Sequence, residues 1–146
     1  MAYQHILVPV DGSETSYKAV SQAAALAHAF NAKVTIVQIL TLDPYIAAEY
    51  ITAQQTNDLI ERARNSILKD LDDAKNKFAE YGITADTALL EGQNISAEII
   101  KAANAQGADL IVIGSHGRTG IKKLFLGSVA QSILGEAEIP VLIVRK

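Results

Sequence analysis

Ile6-Leu7-Val8-Pro9-Val10 runs directly into Asp11-Gly12-Ser13. The first five residues are apolar, with no polar residue among them. An unbroken run of this kind suits a strand covered on both faces, the situation of a strand inside a parallel sheet. Three more runs share the character: Val34 to Leu40, broken only by Thr35 and Gln38, then Leu110 to Ile113, and Val141 to Val144. Asp86 to Leu90 is a weaker fifth candidate. Helical patterns fill the gaps. Ser13 caps a first helix through the alanine-rich Ala23–Ala29, and Asn31 is its left-handed stop. Ile60, Ala63, Ile67, Leu71, Ala74 and Phe78 recur at steps of three and four across Asp58 to Tyr81, one helical stripe that Gly82 ends. Asn94 or Ser96 opens a third helix and Gly107 closes it. Ser128-Val129-Ala130-Gln131 has the S-x-x-Q form of a capping box, opening a fourth helix that ends near Gly135. Strands and helices therefore alternate throughout, which predicts α/β architecture: an open five-stranded parallel sheet between helices, joined by right-handed crossovers.

The composition agrees with one globular domain over residues 1–146. Apolar residues make up 49% of the 146, charged residues 20%, and no linker, repeat or low-complexity tract interrupts them. Cysteine is absent, which excludes disulfides, thiolate metal sites and cysteine nucleophiles, and fits a reducing cytoplasm. No signal-peptide pattern opens the chain, and no apolar run reaches the roughly 18 residues of a membrane span. A net charge of −3, 5% aromatic residues and no tryptophan argue against a nucleic-acid binder. Thr41 to Gln55 is the one long irregular connection, either a lid or a surface loop with a helical turn.

In an open α/β sheet, ligands sit beyond the carboxyl ends of the strands where the strand order reverses. Two such ends look chemically prepared. One is the Pro9–Ser13 turn. The other is Gly114-Ser115-His116-Gly117-Arg118-Thr119-Gly120-Ile121-Lys122-Lys123, which places glycines at 114, 117 and 120. Glycine lets backbone N–H groups approach an anion closely. From Leu110 to Gly135 there is no acidic residue, whereas Arg118, Lys122 and Lys123 contribute a local charge of +3. Gly127-Ser128 then opens a helix, whose free N–H groups and positive dipole end suit a phosphate. The sequence lacks G-x-x-x-x-G-K-[ST], G-x-G-x-x-G and G-x-S-x-G, so a P-loop NTPase, a Rossmann dehydrogenase and an α/β-hydrolase are unsupported.

Gly114-x-x-Gly117, nine residues from Arg118 to Leu126, then Gly127-Ser128 resembles the G-x2-G-x9-G-[ST] nucleotide motif of the universal stress protein family. His5 to Ser13 resembles that family's first strand and turn, and Ile139 to Val144 its last strand. The resemblance implies the family's fold, an adenine nucleotide alpha hydrolase-like sheet of order 3-2-1-4-5. It also implies membership of the subgroup that binds ATP. By position, Asp11 and the backbone at Pro9 would meet the adenosine half, and Asp11 could also help hold Mg²⁺. Ile39 would present backbone groups to the adenine edge. Ile113 and Gly114 would line the ribose side. Gly117, Gly127, Ser128 and Val129 would donate to the phosphates. His116 and Arg118 fall at variable positions within the motif.

Plainer roles stand beside these. Glycines after a buried strand are often only turns, Ser128 could simply cap its helix, and Asp11 could cap the first helix in place of Ser13. The resemblance implies a cytoplasmic stress-response sensor or regulator that binds ATP or AMP. The alternatives are a slow Mg²⁺-dependent ATPase or phosphotransferase, and an interaction module that needs no nucleotide. In the implied strand order Val141–Val144 is an exposed edge, which predicts a homodimer paired along it.

Overall fold

The computed structural model describes residues 3–41, 53–115 and 127–145. Along the chain these form β1 (His5–Pro9), α1 (Glu14–Phe30), β2 (Lys33–Leu40), α2 (Ala53–Glu80), β3 (Asp86–Glu91), α3 (Ile95–Gln106), β4 (Leu110–Gly114), α4 (Ser128–Glu136) and β5 (Val141–Val144). The strands make one parallel sheet ordered β3-β2-β1-β4-β5. The weak fifth candidate is thus a true strand, with an irregular apolar content because it lies at an edge.

Side chains alternate across the sheet and build a core on each face. Ile6, Val8, Ile36, Leu110 and Val112 face α1 and α2, where they meet Ala19, Val20, Ala23, Ile67, Leu71 and Phe78. Leu7, Val37, Ile111 and Ile113 face the other way, toward Ile99 and Ala103 of α3 and Ile133 of α4. The α2 stripe read from the sequence is the buried one: Ile67, Leu71, Ala74 and Phe78 lie in the core, with Ile60 and Ala63 packed against it.

Of the two buried polar side chains in β2, Thr35 is provided for and Gln38 only in part, since its Oε1 has no hydrogen-bond partner among the described residues. Thr35 Oγ1 lies 2.7 Å from His5 Nε2, and Gln38 Nε2 donates to Asp70 Oδ2 on α2 at 3.1 Å. Buried polar groups require such partners. The β1 and β4 starts are tied by the Asp109 carboxylate, which accepts the Gln4 N–H at 2.9 Å and the His5 N–H at 3.0 Å. Asn31 ends α1 in the left-handed region, at φ 55.

One sequence expectation about α4 needs correction. Gly127, not Ser128, is its N-cap, and the Gly127 carbonyl accepts the first helical bond from the Gln131 N–H at 3.0 Å. Ser128 and Gln131 are therefore one residue out of register for a capping box. The expected end near Gly135 holds to within one residue, as α4 runs to Glu136 before the extended Ala137.

Candidate functional site

The chain steps from β1 outward through β2 to β3, then crosses back to β4 on the other side of β1. The reversal falls between β1 and β4, so their carboxyl ends frame the crevice that such sheets use for ligands. Leu7 pairs with Ile111, and continuing that register sets Pro9 level with Ile113. Pro9, Ile113 and Gly114 are buried there, while Ile39 is half-buried near the end of β2 and packs with the α3–α4 face. Beyond β1 the Val10 N–H still donates to the Val37 carbonyl, at 2.9 Å.

Asp11 comes next. Its Oδ1 accepts the Ser13 N–H at 2.9 Å, closing a turn in which Gly12 takes φ +80. Ser13 Oγ accepts the Ser16 N–H at 3.2 Å. The open choice for the α1 cap is settled: Ser13 is the cap, and Asp11 shapes the bend before it. Such a turn fixes the carboxylate at the mouth of the crevice.

Gly114 ends β4, and its missing side chain is explained by packing. A Cβ there would stand 2.8 Å from Thr15 Cγ2 and 3.1 Å from both the carbonyl carbon and oxygen of Thr15. The first turn of α1 therefore sits directly on the Gly114 backbone. Next is Ser115, only 1% exposed. Its N–H donates to the Val144 carbonyl at 2.8 Å, and its carbonyl accepts the Gly127 N–H at 2.6 Å. The two halves of the glycine motif thus meet at a point. His116, Gly117 and Arg118, with Lys122 and Lys123, lie outside the described residues.

This closure brings the start of α4 to the carboxyl end of β4, on the sheet face opposite α1. The helix starts are prepared differently. The α1 start has the Ser13 cap and acidic Glu14, and the α3 start has Asn94, whose Oδ1 accepts the Ala97 N–H at 3.1 Å, with acidic Glu98. At α4 the cap is a glycine without a side-chain acceptor, and the first turn carries no acidic residue. Gly127 sits at φ −64 and ψ 159, a conformation open to any residue, so glycine is not demanded by the backbone there. Its effect is to leave the first-turn N–H groups and the positive dipole end to an external acceptor. Ser128 is exposed and Val129 half-buried beside them.

Sequence reasoning missed Ser115 and Thr15. Both act through main-chain or packing contacts with residues remote in sequence, for which no local pattern exists. For a metal, no group of three His, Cys, Asp or Glu side chains gathers among the described residues. Asp11 alone fits Mg²⁺ only as one ligand among phosphate oxygens and water, the usual way that ion is held.

The model of the universal stress protein family matches residues 2–145. The chain belongs to that family. It is 34% identical to the universal stress protein MJ0531 of Methanocaldococcus jannaschii, over 99% of this chain and 83% of the relative. Among solved structures, a universal stress protein from Burkholderia pseudomallei superposes with a TM-score of 0.79 at 28% identity, covering 99% of this chain and 97% of the other. A universal stress protein in complex with cAMP superposes with a TM-score of 0.72 at 27% identity, covering 99% and 98%. Among the described residues of this family member, no helix is long and apolar enough to cross a membrane.

Proposed function

We propose that this universal stress protein binds an adenine nucleotide, ATP or AMP, across the carboxyl ends of β2, β1 and β4, and acts as a cytoplasmic stress-response sensor or regulator. The observation that carries the proposal is the start of α4, which has no side-chain cap and no acidic residue in its first turn and is held by the Ser115–Gly127 hydrogen bond at the switch point of the sheet. The family member solved with cAMP supports the adenine part. The phosphates would take the Ser128 and Val129 N–H groups and the Ser128 hydroxyl. The Gly127 N–H already serves Ser115, so it joins only by exchanging that bond. Gly117, His116 and Arg118 would complete the phosphate side. Asp11, Pro9 and Ile39 would meet the adenosine half, with Ile113 and the Gly114 backbone along the ribose. Mg²⁺, if carried in by the phosphates, would add Asp11 to its shell and neutralise their charge. A second copy would pair along β5, the edge strand on which Leu142 is 37% exposed.

Gly127→Asp tests the phosphate site. Its φ and ψ suit an aspartate cap, whose carboxylate would occupy the first-turn N–H groups from within. The variant should fold at least as stably as the parent and lose ATP and AMP binding in calorimetric titration. Unchanged affinity in the folded variant would refute the assignment. Heat from neither ATP, AMP nor cAMP with the parent protein would favour the interaction module. Turnover in excess of protein, lost in Asp11→Asn, would favour the phosphotransferase.

A further inference from the structure

Among the described residues, the Ser115 main chain bonds Val144 and Gly127, both remote in sequence. Its N–H supplies the rung of the β4–β5 ladder that follows the Gly114–Val144 pair, and its carbonyl holds the α4 cap. The strand at the far end of this connection is short. β5 has four residues, is bonded on one side, and buries only Val144. Val144 is 8% exposed and packs in the α1–α2 core, so the Ser115 rung falls on the one residue that anchors the edge. The connection thus runs without a gap from the α4 first turn through Gly127 and Ser115 to Val144.

We propose that the Ser115 main chain couples the α4 first turn to the β5 edge, so that an anion bound at that turn orders the edge strand. The ligand half of this proposal rests on the nucleotide reading above. An anion on the Ser128 and Val129 N–H groups holds the turn that delivers the Gly127 N–H to Ser115. A fixed Ser115 in turn keeps its N–H on Val144. Without the anion the same three residues open together, because each hydrogen bond positions the donor of the next. Local openings of this kind involve contiguous cooperative units. Ligands that order such a unit couple distant sites without a change of fold.

Amide hydrogen exchange resolved by residue tests the link in the wild-type protein, first without ligand at low denaturant. The Ser115, Gly127 and Val144 amides should exchange through one shared opening below global unfolding, with a common denaturant dependence. Separate openings, or exchange of all three only by global unfolding, would overturn the coupling whatever the protein binds. The second arm adds saturating ATP or AMP, with binding verified by calorimetry. Ser115 exchange should then slow by roughly 5- to 150-fold, the range of ordinary couplings between sites. Binding with no change at Ser115 and β5 would overturn the proposal and leave the nucleotide reading intact. Absence of binding would sink the nucleotide reading and the ligand half together. Gly127→Pro gives a third check: φ −64 suits proline, and the ring Cδ, which replaces the N–H, cannot stay against the Ser115 carbonyl, so the bond is broken by force. The folded variant should lose Ser115 protection, and Gly127→Ala should keep it.

Discussion

Replacing Gly114 by alanine puts one methyl group where α1 meets the end of β4. In the middle of a strand the exchange ordinarily helps, by about 0.5–1 kcal/mol, because glycine loses more freedom on folding. Here the new Cβ would lie 2.8 Å from Thr15 Cγ2 and 3.1 Å from two backbone atoms of Thr15. A rotation of the threonine side chain relieves the first contact only. The other two require the helix start to move, in a region where Ile113, Gly114, Thr15 and Ser16 are all buried. Overpacking of this kind costs about 1–3 kcal/mol. After the propensity gain, a net loss of about 0–2.5 kcal/mol is expected, or a drop in Tm of up to roughly 10 °C for a chain of this size. Urea unfolding should show a lower midpoint at an unchanged slope. Thr15→Ser removes Cγ2, so the double variant should recover part of the loss, about 0.5–1 kcal/mol of coupling in a double-mutant cycle. The Asp11–Ser13 turn precedes the displaced helix start, so under the proposed nucleotide reading affinity should fall as well. A Gly114→Ala protein more stable than the parent would refute the packing account. Complete rescue by Thr15→Ser would show that the backbone contacts impose nothing.

Other perturbations follow from single contacts. Ser13→Ala removes the α1 cap and should lower stability by about 1 kcal/mol in urea titration. Asp11→Asn keeps an oxygen for the Ser13 N–H and should leave stability within about 0.5 kcal/mol, the usual range for surface changes. Calorimetry on that variant then isolates the part played by the charge in ligand binding. Asp11→Ala, which deletes the turn bond, should cost about 0.5–1.5 kcal/mol. Asn31→Gly should match or exceed the parent's stability, while Asn31→Ala should lose about 1 kcal/mol, since φ 55 is unfavourable to a residue with a Cβ and no local hydrogen bond. Thermal unfolding of the two variants compares them directly.

Much of the fold was legible from Ile6–Val10 and its counterparts, because a strand covered on both faces leaves an unbroken apolar run. Asn31 and Gly107 also read correctly, and Ser13 and Asn94 were each one of two candidate caps, since caps depend on a residue and its neighbours a turn away. The start of α4 did not. Ser128-x-x-Gln131 has the local form of a capping box, yet the helix begins one residue earlier. The Gly127 N–H is drawn to Ser115, and the Gly127 carbonyl turns inward to receive Gln131. At Gly114 the missing side chain also has a packing reason that no local pattern shows, since Thr15 occupies the space.

By itself the sequence determined which segments would be strands and helices, that the sheet would be parallel, and which loops carry groups suited to an anion. Those properties depend on periodicity and on residues within a turn of one another. Only the tertiary structure decided that Ser115 holds Gly127 and Val144 at once, that α1 rests on Gly114, and that α4 starts at Gly127 without a side-chain cap. Each of these is set by a main-chain bond or a steric contact between residues far apart in the chain, and neither leaves a mark on local composition.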